Sequence, residues 1–365
     1  MNNVIIFILW FAAAEALLTA IQFPLRKKVQ KPAPRFCLIA GKALLAVLFA
    51  FLVLAGPVQL RAVQPLMMAL YAALLADAAA DAVCTLLFAS RKKERRFGAI
   101  KAVSLAFGIL FFVFGVFNML TVTPEYHTYT SPKLQKEHTV VFLADLHVGS
   151  AQPFSVTEKT IAEIKELHPE ATILGGDIVD DYTTKEAMEA AFRLFADFDT
   201  PVFYIYGNHD RQGHAEYAGG RKFTPDELEA ALQANGVTVL KDTFAELAPD
   251  LLLLGREDIS EGEGRKAAED LKNPSPEKYL IVADHQPAEF KQNLVTGTDL
   301  QLSGHTHAGQ LFPLGALYPV IGYCRGDYTE GGAIMNVTPG ACGWRMPFRT
   351  DAHCCYEVIK LTPEK

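Results

Sequence analysis

The segment His138-Thr-Val-Val-Phe-Leu-Ala-Asp145-Leu-His147 decides how the rest of the chain is read. Its β-branched and aromatic residues make a short buried strand. That strand stops on a carboxylate and an imidazole two residues apart. The pattern then recurs. Ala171-Thr-Ile-Leu174 runs into Gly175-Gly-Asp177-Ile-Val-Asp180, and Pro201-Val-Phe-Tyr-Ile-Tyr206 runs into Gly207-Asn208-His209-Asp210. Tyr279-Leu-Ile-Val-Ala283 leads to Asp284-His285, Gly304-His305-Thr-His307 follows a further apolar run, and Ala333-Ile-Met-Asn-Val337 is a last strand. Between them, Ser155-Val-Thr-Glu158, Thr183-Thr-Lys-Glu186 and Thr224-Pro-Asp-Glu227 have the form of capping boxes that open helices. Met188, Ala191, Phe192 and Phe195 recur at helical spacing and read as core. Alternating strands and helices predict a layered α/β fold, a β-sheet core flanked by helices, with polar groups gathered at strand ends.

The chain outside this region has a different character. Of its 365 residues half are hydrophobic, which is material for more than one domain. Before residue 122 there are 13 lysines and arginines against 4 acidic residues, and from 122 onward 21 against 37. Apolar residues crowd into the first part. The break predicts a membrane region over 1–121 and a second, folded domain over 122–365. An acidic domain repels phosphate backbones, so nucleic acid is not expected as a partner.

Four apolar runs, Val4 to Phe23, Phe36 to Gly56, Leu66 to Ala89 and Phe97 to Val122, are long enough to cross a bilayer, which takes roughly 20 residues as a helix. None shows the polar face of a soluble bundle helix. Met-Asn-Asn lacks a basic stretch before the first run, which argues against a cleaved signal peptide. Arg26, Lys27, Lys28, Lys31 and Arg35 fill the first loop, and Arg91, Lys92, Lys93, Arg95 and Arg96 the third, whereas the second has only Arg61. The positive-inside rule makes loops one and three cytoplasmic. This predicts a multi-pass cell-membrane protein whose carboxyl-terminal domain is extracytoplasmic. Glu15, Asp77 and Asp81 fall within the spans, where charge is costly. They read first as interhelical partners of Lys42 and Lys101, and second as an ion path or headgroup site.

Each strand-end motif alone is weak. Together, in order, they place carboxylates, imidazoles and an amide along one sheet edge, a donor set suited to Zn, Mn or Fe. Five of the ten histidines lie in these motifs, and no cysteine does, so a cysteine-rich structural zinc site is not indicated. His127, His138, His168, His214 and His353 fall outside the pattern.

The blocks D-x-H, G-D-x-x-D, G-N-H-D, a later His and G-H-x-H resemble the signature of the calcineurin-like metallophosphoesterase superfamily over roughly His138 to Leu361. The closing Pro339-Gly-Ala-Cys-Gly-Trp-Arg-Met-Pro-Phe-Arg349 is similar to that of bacterial membrane-associated members. The resemblance implies two divalent metal ions. Asp145, His147, Asp177 and His307 would hold one, and Asp177, Asn208, His285 and His305 the other, with Asp177 bridging. It also implies that His209 protonates the leaving oxygen and that Asp180 orients its ring. Asp181 stands where the protein-phosphatase branch has Arg, which argues against a phosphoprotein substrate. Ala308 stands where many bacterial relatives continue with Gly.

The expected activity is metal-dependent hydrolysis of a phosphomonoester or phosphodiester at the membrane surface, with a phosphorylated small molecule or a lipid-linked or nucleotide-sugar substrate. The alternative is a non-enzymatic sensor that keeps the fold as a ligand-binding module. A degenerate binder would be expected to have lost ligand positions, and none is missing. A transporter built on Glu15, Asp77 and Asp81 is weaker still, because the spans show no repeat. Among the cations, Arg211 directly follows the Gly-Asn-His-Asp block and is the first candidate for a substrate phosphate, ahead of Arg221, Lys222, Arg325, Arg345 and Arg349. The loop from Gly213 to Lys222 reads as a frame for the pocket. Cys324, Cys342, Cys354 and Cys355 allow three complete disulfide pairings or four free thiols. Cys37 and Cys84 read as packing residues of the spans.

Overall fold

A computed structural model describes residues 2–25, 32–55, 64–88, 97–318 and 322–364. Two compact units emerge, residues 1–116 with 311–314 and residues 117–310 with 315–365, so the division falls a few residues earlier than composition suggests.

The first unit is built on α1 (Asn2–Leu25), α2 (Pro32–Ala55), α3 (Gln64–Phe88) and most of α4 (Phe97–Leu120). Among the described residues three helices are long and apolar enough to cross a membrane, within Phe36–Val53, Leu66–Leu86 and Ile100–Leu120. In the first helix the qualifying apolar stretch is the shorter Leu9–Ile21. Charged groups inside the spans pair with one another. Lys42 donates to Asp81 at 2.6 Å, Lys101 to Asp77 at 2.7 Å and to Glu15 at 3.2 Å, and Ser104 also donates to Glu15. This is the interhelical pairing expected of Lys42 and Lys101, and it neutralises charges that would otherwise stand alone in an apolar layer. Arg26, Lys27, Lys28, Lys31, Arg61, Arg91, Lys92, Lys93, Arg95 and Arg96, on which the orientation rests, lie outside the described residues, as does the side chain of Arg35.

The second unit is a sandwich of two sheets. Its first sheet contains β1 (Val122–Ser131), β2 (His138–Leu143), β3 (Ala171–Leu174), β4 (Val202–Tyr204), β5 (Val237–Val239) and β12 (Cys354–Pro363), in the order β1-β12-β2-β3-β4-β5. The second contains β6 (Thr243–Ala248), β7 (Leu251–Gly255), β8 (Tyr279–Ala283), β9 (Leu300–Ser303), β10 (Gly326–Glu330) and β11 (Ala333–Val337), in the order β10-β11-β9-β8-β7-β6. Side chains of a strand alternate faces, and this explains why β2 is apolar from Val140 to Leu143. Val140 and Phe142 enter the intersheet core with Ile173, Phe203, Leu251, Leu253, Ile281 and Leu302. Val141 and Leu143 face the opposite way, into the core shared with the helices. Burying Phe142 completely contributes roughly 1.5–3 kcal/mol.

Helices α5 (Phe154–Glu166), α6 (Lys185–Arg193) and α7 (Pro225–Ala234) cover the first sheet through Ile161, Ile164, Met188, Phe192, Leu228 and Leu232. Of the three expected capping boxes only that of Thr224 and Glu227 forms in full. α6 starts one residue late, with Thr184 accepting from the Ala187 amide, and α5 begins after Pro153 with no side-chain cap, because Pro153 already holds the extended backbone that precedes a helix. β2, β3 and β4 run parallel, as do β7, β8 and β9. Their carboxyl ends therefore deliver the polar blocks to one rim.

Candidate metal centre

Five strand ends build the site. β2 delivers Asp145 and His147, β3 delivers Asp177, and β4 leads to Asn208, while β8 and β9 of the other sheet deliver His285, His305 and His307. Asp145, His147 and His307 bring donor atoms within 4.8 Å of one another, and so do Asp177, His285 and His305. Asn208 Oδ1 lies 2.9 Å from His305 Nδ1. The chain adopts left-handed backbone at Asp145, His147, Asp177, His305 and His307, with φ between 43° and 72°. Non-glycine residues rarely hold that conformation, and the strain marks a rim shaped for something other than stability. Two glycines make room for the carboxylates. A Cβ on Gly207 would lie 2.3 Å from Asp177 Oδ1, and one on Gly304 2.4 Å from Asp145 Oδ2.

Hydrogen bonds aim the imidazoles. His285 Nδ1 donates to the Gly175 carbonyl at 2.9 Å and His307 Nδ1 to that of Cys342 at 3.0 Å, which turns both Nε2 atoms inward. His285 Nε2 is buried with no hydrogen bond of its own. His147 Nε2 and His307 Nε2 stand 3.3 Å apart. Two such nitrogens close to a ring of carboxylates suit a shared cation. Asp177 Oδ1 accepts from the His209 amide, and its Oδ2 faces His285 Nε2 at 3.2 Å and His147 Nε2 at 3.9 Å.

The electrostatics agree with this geometry. Burial pushes His305 down to about 4, with His285 adding to the effect, and burial with His147 holds His307 well below its usual value. Burial alone would lower His147 too, but Asp180 and Asp177 push it up to about 9. His305 and His307 thus offer lone pairs outright, whereas a cation would have to displace a proton from His147 and from His285, which Asp177 holds well above its usual value against burial.

The family model for calcineurin-like phosphoesterases matches residues 138–309. That stretch is a calcineurin-like phosphoesterase domain. A metallophosphoesterase of Helicobacter pylori is 29% identical over 241 residues, covering 64% of this chain and 62% of that protein. A transmembrane protein with a metallophosphoesterase domain from Danio rerio is 27% identical over 228 residues, covering 58% of this chain and 50% of that one. A phosphodiesterase of Escherichia coli is 30% identical over 183 residues, covering 47% and 61% respectively. The chain therefore spans less than two thirds of each of these relatives.

Within the phosphoesterase domain two assignments change. His209 Nδ1 donates to Asp181 Oδ2 at 2.8 Å, so Asp181, and not Asp180, orients that ring. Asp180 Oδ2 instead lies 3.3 Å from His147 Nδ1, and its other oxygen accepts from the Tyr182 and Thr183 amides. The two aspartates are adjacent, and only the turn after β3 decides which one reaches each ring. Burial would lower His209, but Asp177 and Asp181 outweigh it and hold it above its ordinary value.

Arg211 is committed elsewhere. It forms a two-pronged pair with Glu257 at 3.0 and 2.8 Å and lies over the Tyr206 ring, which removes it as a ready phosphate ligand. Arg349 is fully buried and donates to the carbonyls of His307, Pro339, Gly340 and Cys342, bracing the loop that carries His307. Arg345 stacks on Trp344, whose ring centroid is 5.4 Å from that of His209. Asp210 was legible only as part of its block. Its carboxylate accepts from the amides of Gly207, Asp177 and Val179, tying the β3 and β4 loops together, and burial beside Asp177 pushes it up to about 7. The segment after Gly213 contains a short 3-10 turn, Ala215–Ala218. Cys324, Cys342, Cys354 and Cys355 are all free and buried, which selects thiols over disulfides.

Proposed function

We propose that the chain is a two-metal phosphoesterase that hydrolyses a phosphomonoester or phosphodiester at a membrane surface. The observation that carries this reading is Asp177 Oδ2, which stands between the two donor triads, 3.2 Å from His285 Nε2 and 3.9 Å from His147 Nε2. Asp145, His147, Asp177 and His307 would hold one divalent cation, and Asp177, Asn208, His285 and His305 the other. Mn, Zn or Fe at these positions would supply an activated water and neutralise phosphoryl charge. His209 then holds a proton at Nε2 for the departing oxygen, with Nδ1 fixed by Asp181. Trp344 borders His209 and carries Arg345 over its ring, so this pair is better placed than Arg211 to meet the substrate.

The three apolar helices support action on a lipid-linked or membrane-delivered phosphate, and the lysines and arginines of the first and third loops support an extracytoplasmic domain. One experiment tests the activity. Full-length protein in detergent is stripped with chelator, reloaded with Mn or Zn, and assayed on nitrophenyl phosphate, bis-nitrophenyl phosphate and a lipid pyrophosphate. Metal-dependent turnover is expected, and no turnover with any metal on any of the three overturns the reading. A reporter fused after Lys365 tests the orientation, and a cytoplasmic signal overturns it.

A further inference from the structure

We infer that the phosphoesterase domain carries a second, separate cation site on strands β1 and β12, held by Glu125, His353 and Cys355 and suited to a zinc-class ion. These strands pair in parallel, with Thr123 opposite Cys355 and Glu125 opposite Glu357. Alternation puts Glu125 and His127 of β1 on the same face as Cys355 and Glu357 of β12. His353 enters from the residue before β12 begins. Donor atoms of Glu125, His353 and Cys355 lie within 4.8 Å of one another, and so do those of Glu125, His127 and Glu357. Glu125 belongs to both sets and is the centre of the cluster.

The donor types point to the ion. A thiol, an imidazole and a carboxylate together match zinc-class ions and not calcium or magnesium, which take oxygen donors. A tetrahedral zinc with bonds of about 2.0–2.3 Å spaces its ligands by about 3.3–3.8 Å. Glu125 Oε2 and His353 Nε2 already stand 3.7 Å apart. Both side chains are about half exposed, which gives an ion a way in, while Cys355 is fully buried beneath them.

Charge makes the same case. Glu357 is 1% exposed, and a buried carboxylate needs a countercharge. Among the described residues, the cationic groups within ion-pair distance of Glu125 and Glu357 are only histidines: His353 for the first and His127, at 2.8 Å, for the second. One divalent ion with the Glu125 carboxylate, the Cys355 thiolate and a neutral His353 is balanced, and leaves Glu357 with its hydrogen bond to His127. The thiol proton has a route out. Cys355 Sγ donates to Glu357 Oε1 at 3.4 Å, and Glu357 bonds the partly exposed His127. The sulfur–metal bond forms as the S–H bond breaks, and the proton leaves by this path to solvent. A water fills the fourth position. The ion would fasten the edge strand β1 to the carboxyl-terminal strand.

Cobalt(II) distinguishes this site from the catalytic one, because the catalytic donors include no sulfur and only a cysteine ligand produces thiolate-to-cobalt absorption in the near ultraviolet. Full-length protein in detergent, titrated with Co(II), should develop that band and saturate it by about three equivalents per chain, since the catalytic donors take up to two of them. Cys355→Ser should abolish it, and Glu125→Gln or His353→Asn, both at partly exposed positions that leave the fold intact, should weaken the affinity at least about tenfold. Cys324→Ser and the catalytic-site variant Asp177→Asn should retain it. Absence of the band in the parent protein, its persistence in Cys355→Ser, or full affinity in Glu125→Gln would overturn the assignment. Its loss in Asp177→Asn would show that the two sites are not separate, and overturn it as well. Failure of the phosphoesterase assay leaves this absorption unaffected, so the two proposals fail independently.

Discussion

Replacing Asp181 by Asn tests how the general acid is held. In the structure the His209 ring donates from Nδ1 to Asp181 Oδ2 at 2.8 Å, and the other oxygen of Asp181 accepts from the His214 amide, also at 2.8 Å. Both side chains are largely buried, so the bond is poorly screened. A hydrogen bond to a charged group contributes roughly 1.5–3 kcal/mol and a neutral one roughly 1. Asn keeps the geometry and removes the charge. The expected cost to the protonated imidazole is therefore about 0.5–2 kcal/mol, or about 2- to 30-fold in rate. Asp181→Ala also frees the ring, and its loss should approach the roughly 10²–10⁴ expected for His209→Asn itself. These losses should appear on alkyl phosphate esters and shrink on nitrophenyl esters, whose leaving oxygen hardly needs a proton. Metal content should not change. Asp180→Asn should behave in the opposite way, because its partner is His147. Its metal affinity should fall about 10- to 100-fold, with no preference between esters. Single-turnover rates on both ester classes, paired with metal analysis of each variant, decide the matter. If Asp181→Asn loses metal, or loses rate equally on both esters, the positioning role is wrong. Ester selectivity in Asp180→Asn would return the role to that residue.

Three further outcomes follow from the same geometry. Asp177→Asn should lose effective binding of both cations while Asn208→Ala weakens chiefly one, since the shared carboxylate serves two charges; two-metal occupancy in Asp177→Asn by elemental analysis would refute the bridging assignment. Gly304→Ala would set a methyl group 2.4 Å from Asp145 Oδ2, so it should lower the melting temperature, with a destabilisation of about 1–3 kcal/mol, and reduce metal content; wild-type values of both would show that the loop relaxes freely. His127 is raised above its ordinary 6.5 chiefly by its hydrogen bond to Glu357, against the opposing effect of burial. That stabilisation is present below the unfolded value and is lost as pH rises through the folded one. In chelator, His127→Gln should therefore destabilise the protein more at about pH 5.5 than at about pH 8.5, and a pH-independent difference in denaturant midpoint would contradict the pairing.

Legibility in the sequence followed the range of the interaction. β2, β3, β4 and β8 were readable because four or more β-branched, aromatic and apolar residues in a row leave little choice of structure, and their ends carried the donor blocks. The capping box at Thr224 was readable because it closes within four residues. At Ser155 the same pattern failed, since Pro153 had already set the helix entry. The pairing of Lys42 and Lys101 with the acidic residues of the spans followed from the cost of bare charge in an apolar layer. Glu257 as the partner of Arg211 was invisible, because the two are far apart in sequence and meet only when the segments after β4 and β7, strands of different sheets, come together.

What the sequence by itself determined is the list of donors and their order, because residue type and strand-end position are local properties. Which donor faces which was a matter for the tertiary structure alone. Asp180 and Asp181 are chemically identical neighbours, and a rotation of one residue in the turn after β3 sends one to His147 and the other to His209. The same holds for His127, His353 and Cys355, which carry no motif. They come together with Glu125 because β1 and β12, from opposite ends of the domain, pair in one register and not another. A shift of one residue would turn their side chains to the opposite face of the sheet, and no short-range pattern records that choice.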